Sequence, residues 1–439
     1  MPASPARNAA FQILLRVYQQ DAYAAELLHS DLLTPLSTAD RGLCTELVLG
    51  VLRWQSSLDL AIAAVSDKAP RGMDVEVLIA LRLAAYQIRF LDRIPARAAV
   101  NESVELVKSA RKRSAVPFAN AVLRKLVSSP PIIDAHTPAE DLSQRLAHPR
   151  WLVTRWMEAF GAAATQKICE YDQSVPHTSL RLHGATADEL RSEGVETAPG
   201  ALVAGALRVI SGDITATQSF RDKRVYIQDE ASQLVALLVG KGSRLLDCCA
   251  APGSKTAALA FRNPEAHILA AELHPHRARL LQERLSAPNV EVVTADITAL
   301  QLGSTFDRVL ADVPCSGTGT LARNPEIKWK LRKDDLEDIQ KRQVQILKSA
   351  LRHVAPGGRA IYSTCSLEVE ENSAVIEQAL SSHPDFRLLP SREELVRLKN
   401  SGDLVWGDID SMVRGAFLRT LPGVHPCEGF FAAILERSA

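Results

Sequence analysis

The feature that most constrains this chain is a regular alternation of strand and helix patterns between residues 244 and 365. Apolar runs typical of buried strands lie at 244–247, 268–272, 290–296, 308–312 and 359–365, and a helical pattern covers 336–353. Strands that alternate with helices form a parallel sheet joined by crossover connections. The sequence therefore predicts an α/β domain with a doubly wound sheet over residues 236–439.

The first 130 residues show a different pattern. Apolar residues recur there at helical spacing, for example at Leu78, Leu81 and Ala85, and strand-like alternation is absent from the pattern. Asp40 precedes one of the periodic runs and is predicted to cap that helix. This region, residues 1–130, is therefore predicted to be an all-α domain.

Between these two regions the sequence changes character twice. Residues 131–144 are interrupted by proline and lack periodicity, which indicates a linker. Residues 145–235 combine a tryptophan-bearing helix with strand candidates at 179–183 and 206–210. We therefore predict a small α/β domain between the helical and the doubly wound domains.

The composition limits the function classes. The formal net charge is zero, but between Arg82 and Lys125 there are ten Lys and Arg residues and only three acidic ones, which indicates a local basic surface. The seven cysteines form no CxxC pair and no zinc-binding spacing, so reduced thiols and no metal site are expected. The sequence shows neither a signal-peptide pattern nor an apolar run near the ~18–20 residues that span a bilayer, so a cytoplasmic protein is expected.

Three acidic residues, Glu272, Asp296 and Asp312, follow the second, third and fourth predicted strands. Ligands of doubly wound sheets bind at the carboxyl ends of the strands, near the switch point. Glu272 lies 25 residues after Asp247, where such folds place a carboxylate that accepts hydrogen bonds from a ribose. Glu272 or Asp296 alone would also suit an ordinary solvated strand end. All three beside a loop of small residues predict a nucleotide-type cofactor pocket.

That loop follows the first predicted strand and consists of Cys249, Ala250, Ala251, Pro252, Gly253, Ser254 and Lys255. Its small side chains allow the backbone to approach a ligand closely. It is not a Walker phosphate loop, because Ser254 separates Gly253 from Lys255 and the upstream glycine is absent. It also lacks the GxGxxG pattern, which counts against NAD.

Two cysteines lie at the ends of the fourth and fifth predicted strands. Cys315 lies in Asp-Val-Pro-Cys-Ser-Gly-Thr-Gly, and Cys365 lies in Ser-Thr-Cys-Ser. A single cysteine is usually a small buried hydrophobe, and we interpret Cys44, Cys169 and Cys427 in this way. The polar loops around Cys315 and Cys365 favour a chemical role instead. These strands are neighbours in the usual order of this class, so both thiols are predicted to face one pocket.

Two thiols suit the chemistry of a pyrimidine ring. Carbon 5 of cytosine is too electron-poor to take a methyl group directly, whereas a nucleophile added at carbon 6 produces an enamine-like ring that attacks a sulfonium methyl group. A thiolate both adds and leaves well. A free cysteine with a pKa of ~8.5 is only a few per cent thiolate at pH 7, so the site must lower that pKa or remove the proton during attack. Asp312 is predicted to hydrogen-bond the exocyclic amine or ring nitrogen 3, provided that one partner carries the proton.

With these motifs, the chain resembles the Sun/NOL/NOP family of RNA cytosine-5 methyltransferases over nearly its whole length. Residues 249–255 are similar to the family's S-adenosylmethionine loop, with Ser254 where glycine is common. Glu272, Asp296 and Asp312 match its cofactor-contacting acids, although the first is aspartate in many members. The resemblance implies S-adenosylmethionine as the cofactor and a cytidine of small-subunit (16S) ribosomal RNA as the substrate.

The same resemblance assigns a separate role to each of the two thiols. It implies that Cys365 is the nucleophile and that Cys315 releases the product. The residues alone do not decide this point, since DNA cytosine methyltransferases take their nucleophile from a Pro-Cys motif. Two further stretches, residues 227–232 and 323–329, also match the family.

The N-terminal region resembles the helical RNA-binding NusB fold, on the evidence of residues 93–102 and 118–125. Its basic residues are then expected to bind phosphates, which positions an RNA without reading its sequence: Arg93, Arg97, Arg111, Lys112, Arg113, Arg124 and Lys125. Residues 145–235 resemble the family's small RNA-recognition-like insert. The expected chain is a monomer with an all-α NusB-like domain, this insert and a Rossmann-like S-adenosylmethionine-dependent methyltransferase domain.

Two other functions remain open at this point. A tRNA or DNA cytosine-5 methyltransferase would use the same chemistry, although the helical N-terminal domain suits structured ribosomal RNA. A NusB-like RNA-binding factor with an inactive catalytic domain would show a lost cysteine or a broken cofactor loop. The sequence shows neither.

Overall fold

The computed structural model describes residues 3–20, 22–129, 141–285 and 287–439. These residues form two compact units. The first lies within Met1–Val175 and Leu321–Lys330, and the second within Pro176–Thr320 and Leu331–Ala439. The linker is predicted at residues 131–144. Only residues 141–144 of it belong to the described part of the chain, and the prediction for the others lies outside that part.

The first unit is helical, as the sequence predicts. Its helices in the N-terminal stretch are α1 (Pro5–Gln19), α2 (Ala24–Leu28), α3 (Thr38–Arg53), α4 (Gln55–Val65), α5 (Val75–Phe90), α6 (Ala96–Ser109), α7 (Val116–Ser128), α8 (Leu142–Arg145), α9 (Arg150–Phe160) and α10 (Ala162–Asp172). Helix α5 is the central element, because every residue from Val77 to Gln87 is buried. A helix that is apolar on all sides must be surrounded by others, which explains why this one organises the core. Helices α9 and α10 belong to this unit.

The cap predicted for α3 is wrong. The hydroxyl of Ser37 accepts a hydrogen bond from the backbone N–H of Asp40 at 3.1 Å, so Ser37 is the N-cap. Asp40 lies in the first turn, where its negative charge favours the helix N-terminus. Serine and aspartate are both good N-caps, and with the two only three residues apart the sequence pattern did not choose between them.

The second unit begins with a small antiparallel sheet. Its strands are β1 (Ser179–Leu182), β2 (Glu196–Pro199), β3 (Ala206–Ser211) and β4 (Val225–Ile227), in the order β2-β3-β1-β4, with helices α11 (Ala187–Ser192) and α12 (Gln218–Arg221). The two strands predicted here are confirmed as β1 and β3. Strands β2 and β4 were missed: β2 has the sequence Glu-Thr-Ala-Pro, without an apolar alternation, and β4 has only three residues.

The large sheet of the second unit contains the predicted parallel strands. They are β5 (Arg244–Asp247), β6 (His267–Glu272), β7 (Val290–Thr294), β8 (Phe306–Asp312) and β9 (Val354–Thr364), followed by β10 (Phe386–Leu389), β11 (Val413–Arg414), β12 (Phe417–Arg419) and β13 (Phe431–Arg437). The order is β11-β12-β13-β9-β8-β5-β6-β7, and β10 pairs with β13. Strands β5 to β9 are parallel, and β10 to β13 add antiparallel pairs at one side.

Helices cover both faces of this sheet, which makes it doubly wound. They are α13 (Glu230–Val239), α14 (Ser254–Arg262), α15 (Pro275–Arg284), α17 (Asp335–Arg352), α18 (Ser373–Leu380) and α19 (Ser391–Asn400), whereas α16 (Ile327–Lys330) lies in the first unit. Two clusters of buried apolar side chains lie along the sheet: one contains Leu245 and Ile361, and the other contains Leu246 and Val309. Because successive side chains of a strand point to opposite faces, Leu245 and Leu246 belong to different clusters.

Residues 321–330 join the first unit although they follow β8 in the chain. The indole N–H of Trp329 donates to the carbonyl of Leu52 at 2.6 Å, and Glu326 Oε1 accepts the backbone N–H of Ala24 at 2.8 Å. The side chain of Lys328 is fully buried, and burial lowers its pKa to about 7. The family-like stretch 323–329 therefore packs as part of the helical unit.

No single helix in the described part of the chain is long and apolar enough to cross a membrane. Helices α3 and α4 are long and apolar enough only when taken together, and the chain bends by 77° between them. Both helices contribute buried side chains to the core of the first unit.

Candidate active site

The strand order places the switch point between β5 and β8. From β5 the chain winds outward through β6 and β7 on one side and through β8 and β9 on the other. Crevices at such a point, at the carboxyl ends of the strands, are where doubly wound sheets bind ligands. The small-residue loop follows β5, Asp312 ends β8, and Cys365 follows β9. The sequence prediction that these residues share one edge of the sheet is confirmed.

The predicted cofactor loop runs from the end of β5 into α14. The backbone of Gly253 has a φ of +105°, a left-handed conformation that residues other than glycine rarely adopt. A Cβ atom at this position would also lie 2.6 Å from Leu281 Cδ1, so the loop has no space for one. The backbone N–H of Ala250 donates to the carbonyl of Ala271 at 2.9 Å, which fixes the loop against β6. The loop is compact and presents its backbone at the sheet edge.

The three predicted acids differ in their surroundings. Glu272 ends β6 and is only 4% exposed, and its Oε1 accepts the backbone N–H of His274 at 3.0 Å. Asp296 is exposed, and its Oδ1 accepts the backbone N–H and the hydroxyl of Thr298 at 2.8 and 2.7 Å. A buried carboxylate at the end of β6 is held in one orientation. The exposed Asp296 is held by its own turn.

Asp312 is engaged by two donors. Its Oδ2 lies 2.8 Å from Lys255 Nζ, and its Oδ1 accepts the hydroxyl of Ser363 at 2.6 Å. Burial lowers the pKa of Lys255, but the charge and hydrogen bond of Asp312 outweigh it, so the pKa is raised above its ordinary value. Lys255 Nζ also lies 5.0 Å from the centre of the Phe430 ring. Lys255 is therefore a charged ammonium in the centre of the site, a role that the sequence did not indicate beyond its place in the loop.

A fourth carboxyl group lies next to the loop. Asp247, the last residue of β5, is buried and its Oδ2 accepts the hydroxyl of Thr256 at 2.8 Å. Burial raises its pKa to about 7, and the nearby charge of Asp312 adds to that effect. The group therefore titrates near neutral pH.

The two thiols lie side by side. Cys315 Sγ and Cys365 Sγ are 3.3 Å apart, and both cysteines are partly exposed and free. The hydrogen bond with Cys365 and burial raise the pKa of Cys315 well above its ordinary value. Cys44, Cys169 and Cys427 are buried, which agrees with their interpretation as packing residues. The predicted adjacency of Cys315 and Cys365 is confirmed.

Close packing holds the Cys365 loop against the loop after Cys315. The backbone N–H of Gly319 donates to the carbonyl of Cys365 at 2.8 Å. A Cβ atom at Gly319 would lie 2.2 Å from the carbonyl oxygen of Gly429. Only glycine permits this approach, so Gly319 is a structural requirement of the site that sequence reasoning missed. Its signal was its place in the Ser-Gly-Thr-Gly stretch.

The basic residues predicted to bind phosphates lie in the first unit and are mostly exposed. Six of them are exposed and form no ion pair within the described part of the chain: Arg93, Arg97, Arg111, Arg113, Arg124 and Lys125. Lys112 lies 3.1 Å from Asp74 and is partly neutralised. Arg82, which contributed to the local basic surplus, is buried and paired with Asp59 at 2.7 Å, so it belongs to the core.

Comparison with known proteins defines the class. Residues 234–436 match the family model described as 16S rRNA methyltransferase RsmB/F, and residues 4–128 match the NusB family. A solved structure, that of PH0851, has a TM-score of 0.81 at 23% identity and covers 100% of both chains. A methyltransferase homolog protein from Pyrococcus horikoshii has a TM-score of 0.56 at 26% identity and covers 69% of this chain and 99% of that one. The protein is a methyltransferase with a Rossmann-like catalytic domain and a NusB-like helical domain.

Similar sequences then give the family. The probable ribosomal RNA small subunit methyltransferase B of Bacillus subtilis is 33% identical and covers 100% of both chains. The ribosomal RNA small subunit methyltransferase B of Vibrio cholerae is 31% identical over 91% of this chain and 90% of its own. The chain belongs to the RsmB/F family of methyltransferases.

Proposed function

We propose that the protein uses S-adenosylmethionine to methylate carbon 5 of a cytidine in 16S ribosomal RNA, through a covalent adduct between Cys365 and the base. The observation that carries this proposal is the pair of thiols 3.3 Å apart at the carboxyl ends of β8 and β9. Most methyl acceptors need no thiol. A pyrimidine carbon needs one group that adds to the ring and leaves again. The names of the similar proteins support ribosomal RNA as the substrate.

The residues at the sheet edge fit the proposed cofactor. The loop 249–255 consists mostly of small side chains, which let its backbone lie close to a ligand, and Leu281 packs against Gly253 from within the protein. The buried, fixed carboxylate of Glu272 is suited to accept hydrogen bonds from ribose hydroxyls, and Asp296 and Asp312 are proposed to complete the pocket. The cofactor supplies an electrophilic methyl group.

The protein's own side chains carry the remaining chemistry. Cys365 is proposed to add to carbon 6 of the cytosine, and Asp312 to hydrogen-bond the exocyclic amine, or ring nitrogen 3 when one of the two partners carries the proton. The Lys255 ammonium lies 2.8 Å from Asp312 Oδ2. In release, the carbon 5 proton passes to water, its bonding electrons restore the double bond between carbons 5 and 6, and Cys365 leaves as a thiolate. Cys315 is proposed to assist this step by donating its S–H to the leaving sulfur.

The substrate assignment is tested by mapping 5-methylcytosine in ribosomal RNA from cells with and without this gene. We expect one position in 16S ribosomal RNA to lose its methyl group and to regain it when the parent gene is returned. A gene carrying Cys365→Ala should not restore it. Loss of 5-methylcytosine from transfer RNA alone would instead favour a tRNA methyltransferase.

Glu272→Ala is expected to weaken S-adenosylmethionine binding about ten- to a hundredfold. One charge-assisted hydrogen bond to a ribose is worth about 1.5–3 kcal/mol, which corresponds to that range of affinity. Isothermal titration calorimetry measures the change. The matched control is Glu265→Ala, which removes an exposed carboxylate just before the same strand. An unchanged dissociation constant for Glu272→Ala would place the ribose elsewhere.

The exposed basic residues of the first unit are expected to bind RNA phosphates. Replacing Arg111, Arg113 and Arg124 by glutamine should weaken RNA binding and reduce its salt dependence, by a slope of about 0.7–0.9 for each phosphate that the variant no longer binds. Fluorescence anisotropy at several salt concentrations measures the slope. Affinity for S-adenosylmethionine should stay the same.

A control triple variant removes the same charge from other exposed sites. Arg191, Lys341 and Arg392 are each paired with a neighbouring acidic residue in the second unit. Replacing these three by glutamine should leave the salt slope nearly unchanged. Equal slopes for the parent and both triple variants would show that the basic residues of the first unit are only a solvated surface.

A further inference from the structure

One buried carboxylate contacts both of the loops that carry the thiols. Glu371 is fully buried, and its Oε2 accepts the backbone N–H of Ser316 at 2.7 Å and the side-chain amide of Gln343 at 3.0 Å. Its Oε1 accepts the hydroxyl of Ser316 and, at 2.5 Å, the hydroxyl of Ser366. Ser316 follows Cys315 and Ser366 follows Cys365. This side chain thus joins the two loops, in addition to the bond between Gly319 and the carbonyl of Cys365.

The donors around Glu371 select a carboxylate. A backbone N–H and a side-chain amide N–H can only donate, so Oε2 must be an acceptor. The other oxygen accepts the two serine hydroxyls. The nearest neutral analogue, glutamine, would place an N–H donor there, and both hydroxyls would then have to turn and accept. The hydrogen bonds as they stand therefore fit glutamate.

A negative charge lies near Cys315. The hydrogen bond with Cys365 and burial account for most of the raised pKa of Cys315, and the negative charge of Glu371 raises it further. A negative charge near a thiol favours its neutral form. At 3.3 Å the Cys315 S–H is placed to donate to Cys365 Sγ.

We propose that Glu371 is a positioning residue that holds the two thiol loops together and keeps Cys315 a neutral hydrogen-bond donor, which leaves Cys365 as the nucleophile. This inference rests on the proposed function and gives a physical reason for the distribution of roles between the thiols, which the family resemblance alone does not supply. Glu371 bonds to neither thiol but acts through Ser316, Ser366 and its charge.

The test measures thiol reactivity, which requires neither RNA nor cofactor. The full-length parent, Glu371→Gln and Glu371→Asp are treated with iodoacetamide across a pH series, and the alkylation of each cysteine is followed by peptide mass spectrometry. Removal of the charge in Glu371→Gln should lower the midpoint pH of Cys315 alkylation. At a given pH below that midpoint, Cys315 of this variant should react roughly tenfold faster than Cys315 of the parent. Glu371→Asp keeps the charge and should keep the parent midpoint. The control Glu377→Gln makes the same change at an exposed position of α18 and should match the parent.

The outcomes separate charge from mere loop stability. If Glu371 only stabilised the loops, Glu371→Asp and Glu371→Gln would lower the midpoint pH of Cys315 alkylation equally, and this result would overturn the proposal. The same midpoint in the parent and in all variants would also overturn it.

One measurement needs no variant. In the parent at pH 7, Cys365 should be alkylated before Cys315, and the reverse order contradicts the proposal. A failure of cytidine methylation with the expected alkylation pattern would instead remove only the proposed function.

Discussion

Cys365→Ala is expected to abolish methyl transfer, with a loss of rate on the order of 10⁴-fold or more, the scale seen when a covalent nucleophile is removed. The proposed reaction cannot begin without an atom that adds to carbon 6, and Cys315 is held as a thiol with a raised pKa. Binding of S-adenosylmethionine should change little, because no predicted cofactor contact involves Cys365. Radiolabelled methyl transfer and calorimetry measure the two effects.

The control for this variant is Cys169→Ala, which removes a buried thiol in the first unit. It should retain methyl transfer at a rate close to that of the parent. Substantial activity in Cys365→Ala would show that another group adds to the base.

Cys315→Ala is expected to trap the protein on its substrate. If Cys365 adds normally but release is blocked, the bond between sulfur and carbon 6 survives denaturation. Gel electrophoresis in denaturant should then show a slowly migrating protein–RNA complex, and the double variant Cys315→Ala with Cys365→Ala should show none. A stable complex in Cys365→Ala and none in Cys315→Ala would mean that the two roles are reversed.

The large sheet was predictable because its signals are local. Strands β5 to β9 follow one another at short spacing, and all but β7 and β8 are separated by helices, so period and length identify them. Strands β11 and β12 have two and three residues and form antiparallel pairs beside β13. Strands this short are stabilised mainly by hydrogen bonds to the neighbouring strands. A local sequence pattern does not show which distant segment will be the neighbour.

The same limit applies to the site. Cys315, Cys365 and the cofactor loop stand out because thiols in polar loops and a run of small residues are unusual in themselves. Glu371 does not stand out, because its role depends on Ser316, 55 residues earlier. The ion pair between Lys255 and Asp312 likewise joins residues that meet only after β5 and β8 become neighbours. Local composition singled out the candidate reactive groups, and tertiary contacts supplied the residues that we propose to position them.

The central claim is that carbon 5 of a cytidine is methylated through an adduct at carbon 6. The most direct test supplies the purified protein with S-adenosylmethionine and 16S ribosomal RNA that carries tritium at carbon 5 of its cytidines. We expect one tritium to be released into water for each methyl group transferred, and the product to be 5-methylcytosine. Methyl transfer without tritium release, or a methyl group on any other atom, would contradict this claim.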